Sequence, residues 1–119
     1  MEATLVDFGN DSVVYNFTGT NQAELENKLN LFFASEKLPY KSTVGEERIY
    51  MRGNKALRIL FGAFVKYFRI AVTVRQQGEM FSVRILRDMN LMMSGGLIGV
   101  NKSRKEFARL SEALKAYFK

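Results

Sequence analysis

A chain of 119 residues, 47% apolar and 25% charged, is sized for one folded domain, residues 1–119, hiding about two-thirds of the surface its unfolded form exposes. It holds no Cys and no His, which excludes thiol nucleophiles, disulfides, thiolate or imidazole metal sites and the Ser-His-Asp triad, so catalysis is disfavoured and neither cofactor nor metal is expected. The net charge of +6 is unevenly spread: residues 1–47 carry three bases against eight acids, residues 48–119 fifteen against four.

The start, MEATLVDFGNDS, has acids where a signal peptide needs a basic stretch and an apolar core. Thr4–Phe8 and Ser12–Thr18 read as strands around the turn Gly9-Asn10-Asp11, with Val13, Tyr15 and Phe17 alternating in the second. A helix follows. Asn21 suits its N-cap with Glu24 three residues on, Leu25, Leu29, Phe32 and Phe33 share one face, and Pro39 is expected to stop it. Tyr40–Val44 and Glu47–Arg52 form a second hairpin turning at Gly45-Glu46.

The run 56–65, apolar except for Arg58, fits neither period and its class stays open. Tyr67–Gln76 and Met80–Arg87 alternate cleanly around a turn at Gln77-Gly78. Phe68, Ile70, Val72, Val74, Phe81, Val83 and Ile85 face inward, and Tyr67, Arg69, Ala71, Thr73, Arg75, Ser82 and Arg84 outward. A glycine loop, Gly95-Gly96-Leu97-Ile98-Gly99, leads to a last helix from about Arg104 to Phe118. Ser103 and Glu106 form its capping box, and Phe107, Leu110, Leu114, Tyr117 and Phe118 its apolar stripe. The apolar runs 56–65 and 91–100 are half the length a spanning helix needs, so no transmembrane segment and a cytoplasmic location are expected.

The predicted order is β-β-α-β-β-β-β-α: an α+β domain with an antiparallel sheet of five or six strands and two helices on one face. This order and the closing amphipathic helix resemble the helix-grip folds, the TATA-binding-protein-like unit and the START-like lipid-transfer proteins. That resemblance implies a curved sheet wrapped around the last helix; it assigns no residue a role. The glycine loop with the helix after it is also similar to the ends of small bacterial domains, a likeness that brings no activity with it.

Three features could carry function. Cation-flanked apolar segments suit an anionic amphiphile or membrane surface, met by Arg58, Phe61, Phe64, Lys66 and Met92; plain core packing is the competing reading. The segment Gly99, Lys102, Ser103 and Arg104 suits an anion at a helix N-terminus. It is no nucleotide loop, because Asn101 replaces the second glycine of that motif. Tyr67, Arg69, Arg75 and Arg84 share the outward face of the best hairpin, a candidate nucleic-acid surface. Glu46-Glu47 reads as hydrated turn acids, and Asp88 beside Arg87 as part of a surface ion pair. The leading expectation is a non-enzymatic binding module for an anionic lipid or amphiphile. The alternatives are nucleic-acid binding and a homodimer joining acidic to basic regions. The plainest outcome for the charge is that the two halves interleave and neutralise each other.

Overall fold

The computed structural model describes residues 1–52, 68–87 and 92–118. Among them run β1 (Glu2–Phe8), β2 (Ser12–Thr18), α1 (Gln22–Ser35), β3 (Tyr40–Val44), β4 (Glu47–Arg52), β5 (Phe68–Gln77), β6 (Met80–Arg87) and α2 (Met92–Tyr117). The element order and the α+β class are those expected. The strands make one antiparallel sheet ordered β1-β2-β6-β5-β4-β3. After β2 the chain crosses through α1 to the far edge, and β4, β5 and β6 then fill the sheet back toward β2.

Both tight hairpins turn on glycine. Gly45 and Gly78 sit at φ +62° and +66°, the left-handed region that a type II′ turn requires at its first central position. The second turn is Gly78-Glu79, because Gln77 pairs with Met80; this is one residue later than expected, and the pairing extends by the same residue.

The period-2 pattern decides which face is buried. Phe68, Ile70 and Val72 of β5 and Phe81, Val83 and Ile85 of β6 are at most 4% exposed. They form one core with Val13, Tyr15, Phe17 and Tyr50 from the flanking strands, Leu25, Leu29, Phe32 and Phe33 from α1, and Phe107, Leu110 and Leu114 from α2. Each large side chain so buried contributes about 1.5–3 kcal/mol before ordering entropy is subtracted. Both helices therefore lie on one face of the sheet.

Asn21 caps α1 as expected, accepting the Glu24 N–H at 2.8 Å. The other end differs from expectation. α1 stops at Ser35, four residues before Pro39, in a Schellman motif. Lys37 N–H donates to the Ala34 carbonyl at 3.0 Å and Leu38 N–H to that of Phe33 at 2.7 Å. Lys37 adopts φ +61°, and Leu38 is fully buried beside it in the chain. The terminator is that backbone reversal, and Pro39 lies beyond it.

A second correction concerns the last helix. It begins at Met92, twelve residues before Arg104, and continues through Gly95, Gly96 and Gly99. Glycine costs a helix interior about 1 kcal/mol relative to alanine, a penalty that lowers helix propensity without forbidding it. Ser103 and Glu106 thus lie within the helix and make no capping box at its start.

Candidate functional site

Strand pairing sorts the connections by end. Arg52 of β4 pairs with Phe68 of β5, and Ile70 of β5 pairs with Arg87 of β6. The connection 53–67 therefore leaves and re-enters the sheet at the same end from which 88–91 departs toward Met92. The hairpin turns Gly45-Glu46 and Gly78-Glu79 lie at the opposite end. Both apolar segments singled out in the sequence, 56–65 and 91–93, are attached through the first of these ends. Arg58, Phe61, Phe64, Lys66 and Tyr67 lie outside the described residues, and Met92 is the first residue of α2.

The same end holds a buried cation that sequence reasoning did not single out. Arg87 continues the inward alternation of Phe81, Val83 and Ile85, and its side chain has no exposed surface. The pairing of Ser12 with Leu86 sets Asp11 opposite Arg87, and the Arg87 N–H donates to the Asp11 carbonyl at 2.9 Å. The guanidinium donates through Nε at 3.0 Å and Nη2 at 2.6 Å to one oxygen, Oδ1 of Asp11. The Asp11 side chain is 45% exposed, so the cation lies on the core side and the anion on the solvent side. Arg87 is therefore no surface residue, and Asp88, expected to form a surface ion pair beside it, lies outside the described residues. The signal was present in the alternation, which points position 87 inward once Ile85 does.

A second polar cluster bridges α1 and β4. The Tyr50 hydroxyl donates to Oδ1 of Asn30, which also accepts from Arg48 Nη2 at 3.1 Å. Arg48 Nε donates to the Tyr50 oxygen at 3.2 Å, and Arg48 Nη1 lies 3.8 Å from Glu26. The Arg48 guanidinium stacks over the Tyr40 ring at 4.6 Å. Burial pushes the Tyr50 phenol above its ordinary value, against the pull of Arg48, and burial likewise raises Tyr15, helped by the charge of Glu112. Every member bonds another, which suits an anchor between helix and sheet.

The outward face is less basic than its sequence suggests. Arg75 pairs with Glu46 at 3.0 Å, both exposed. Exposed Arg84 stands in a cross-strand row, Asp7–Val14–Arg84–Thr73–Glu47, with an acid on either side. Arg69 is half-buried opposite Met51. The face thus alternates in sign where continuous phosphate contact needs one sign. Charge pairing elsewhere follows suit: Arg48–Glu26, Arg87–Asp11 and Arg109–Glu36 each join the basic part of the chain to the acidic part. The two charge-biased regions interleave in space.

The expected anion site at Gly99, Lys102, Ser103 and Arg104 does not form at a helix N-terminus. These residues lie inside α2, where backbone N–H groups donate to carbonyls four residues back and none is left for an anion. Arg104 is exposed. No described helix is long and apolar enough to cross a membrane, and no cluster of metal-ligating side chains occurs among the described residues. No protein-family model matches the chain, and no curated protein matches it.

Proposed function

We propose that this protein is a non-enzymatic binding module of helix-grip type that takes an anionic amphiphile at the end of the sheet carrying Arg52 and Arg87. What carries this reading is convergence. Two stretches that are separate in sequence, the apolar-rich connection 53–67 and the shorter 88–91 that leads into Leu91-Met92-Met93, attach at one end of one sheet. The first contributes Lys55, Arg58 and Lys66 in sequence, and the strand termini contribute Arg52 and Arg87, the latter paired with Asp11; at the opposite end Glu46, Glu47 and Glu79 accompany Arg75. Apolar side chains beside cations suit a molecule with a hydrocarbon part and an anionic group. Sheet order and a closing helix on the inner face support the helix-grip likeness.

Two observations weigh against the other readings. Acids interrupt the outward arginines, which lowers the case for nucleic acid. The ion pairs joining the two charge-biased regions close within one chain, so a homodimer is not needed to satisfy them.

Sedimentation with vesicles tests the proposal. Phosphatidylglycerol vesicles should carry the protein into the pellet while phosphatidylcholine vesicles leave it in solution. Protein remaining in the supernatant with both would refute it.

A further inference from the structure

We infer that the open edge of β1 takes an extended segment of another protein as an added strand, one in which apolar residues alternate with Lys or Arg. This surface needs no residue of the connections 53–67 and 88–91, and it is independent of amphiphile binding. Among the described strands β1 pairs with β2 alone, so alternate N–H and C=O groups along its other side offer a pairing template. Edges of this kind are usually guarded by Lys, Pro or an inward charge. Glu2–Phe8 contains neither Lys nor Pro, whereas β3 at the far edge carries Lys41 and follows Pro39. A bulge does occur at Val6, because Leu5 pairs with Tyr15 and Asp7 with Val14; it leaves Glu2–Leu5 as a regular run. Half of the exposed large hydrophobic side chains described, Met1, Leu5, Val6 and Phe8, lie in this strand or beside it.

The two faces of the strand define the occupant. Ala3, Leu5 and Phe8 stand opposite buried Phe17, Tyr15 and Val13 and so share the helix side of the sheet, where Lys115 of α2 lies 4.6 Å over the Phe8 ring. Glu2, Thr4 and Asp7 stand opposite Thr18, Asn16 and Val14 on the other side. β1 holds no base, and the base in the row of Asp7, Arg84, stands beyond β2. An added strand therefore meets apolar side chains and a cation on the helix side, and two acids on the outer side. Successive side chains of a strand point to opposite faces, so one with apolar residues toward α2 and bases outward fits both. Main-chain hydrogen bonds supply the affinity of such an addition and alternate side chains its selectivity. The β1 strand of a second copy is a poor occupant. Antiparallel pairing with it would set Glu2 and Asp7 of both copies on one outer face with no base between them.

The test uses the full chain and three labelled heptapeptides, KVKVKVK, KPKPKPK and EVEVEVE, with binding followed by fluorescence anisotropy. KVKVKVK should bind, and amide hydrogen exchange in β1 should slow when it does. KPKPKPK carries the same charge but cannot pair as a strand, and EVEVEVE can pair but carries the wrong charge. Both should bind about tenfold more weakly. Glu2→Lys combined with Asp7→Lys, both at exposed positions, should turn the preference about tenfold toward EVEVEVE. Equal binding of KVKVKVK and KPKPKPK would reduce the contact to charge attraction and overturn the inference, as would no binding of any peptide. A dimer in light scattering with β1 protected from exchange would give the edge to a second copy and overturn it too. If the double variant fails to fold, the three peptides decide alone.

Discussion

Phe118, one residue past the end of α2, stands edge-on to Phe17 of β2, with ring centroids 4.8 Å apart and an interplanar angle of 68°. This contact fastens the end of α2 to the sheet, and it belongs to a longer series. Ring contacts run Tyr15–Phe17–Phe118–Tyr117–Phe32–Phe33–Tyr50–Tyr40, from β2 through both helices to β4 and β3. Aromatic pairs in such geometry contribute about 0.5–1.5 kcal/mol beyond the area they bury. Tyr117 takes part although it is 45% exposed, because its ring leans on Phe32 of α1 and away from the sheet.

Phe118→Ala should therefore destabilise the protein more than its half-buried position suggests. We expect a loss of about 2–3 kcal/mol in urea unfolding, near the lower edge of the range for fully buried phenylalanines. Leu31→Ala, at a site 58% exposed on α1, serves as the control and should change stability by less than about 0.5 kcal/mol. Equal effects from the two would show that the ring series does not couple the helices.

Lys37 is the described non-glycine residue at positive φ, and it is exposed. A left-handed backbone costs an L-residue with a Cβ about 1–2 kcal/mol. Lys37→Gly removes that strain while giving back some unfolded-state entropy, so we expect a gain near 1 kcal/mol. Lys37→Val should cost stability at the same site. Urea midpoints with unchanged slope would report both.

Much of this fold was legible because local chemistry and tertiary packing agree. Val13, Tyr15 and Phe17, or Phe81, Val83 and Ile85, alternate in sequence and are buried together in space. Asn21 and Glu24 announce a helix start and make one. Legibility failed where a residue's local preference was overruled. Gly95, Gly96 and Gly99 prefer loops, yet they continue a helix whose later turns pack on the core. Lys37 reverses the chain in a conformation its side chain disfavours, so no sequence signal marked it. Ser111 looks polar and outward, but its hydroxyl donates to the Phe107 carbonyl at 2.8 Å, which lets it be buried in the apolar stripe. The candidate site was less legible than the core. Its apolar segments were visible in sequence, whereas the pairing of Arg87 with Asp11 spans 76 residues and only the sheet order brings them together.

Asn30 supplies the shared acceptor for Tyr50 and Arg48. Asn30→Ala would strip one hydrogen bond from each, and the Tyr50 side chain is fully buried. Leaving such groups unsatisfied costs about 1–3 kcal/mol. Asn30→Asp keeps the acceptor oxygen and adds a charge facing Arg48, so it should recover most of the loss. The order of stability, wild type then Asp then Ala, checks that the acceptor matters here and not merely the volume of the side chain.

Alkaline pH should expose the two buried phenols. Burial raises Tyr50 and Tyr15 above the ordinary 10.0, so the folded protein holds these protons after the unfolded chain has begun to shed them. Below that ordinary value both states are protonated and the full stability is present. As pH rises through it, the unfolded chain binds fewer protons than the folded one, and stability falls until the folded phenols ionise as well. Tyrosinate absorbance of the folded protein should therefore lag behind that of the urea-unfolded chain, and the urea midpoint should drop over the same pH range. Tyr50→Phe removes one of the two late groups and should make that drop shallower, whatever it costs at neutral pH through the lost bond to Asn30. Superimposable absorbance titrations for the folded and unfolded chains would show that Tyr50 and Tyr15 are in contact with water, and that the sheet is not closed over them by α1 and α2.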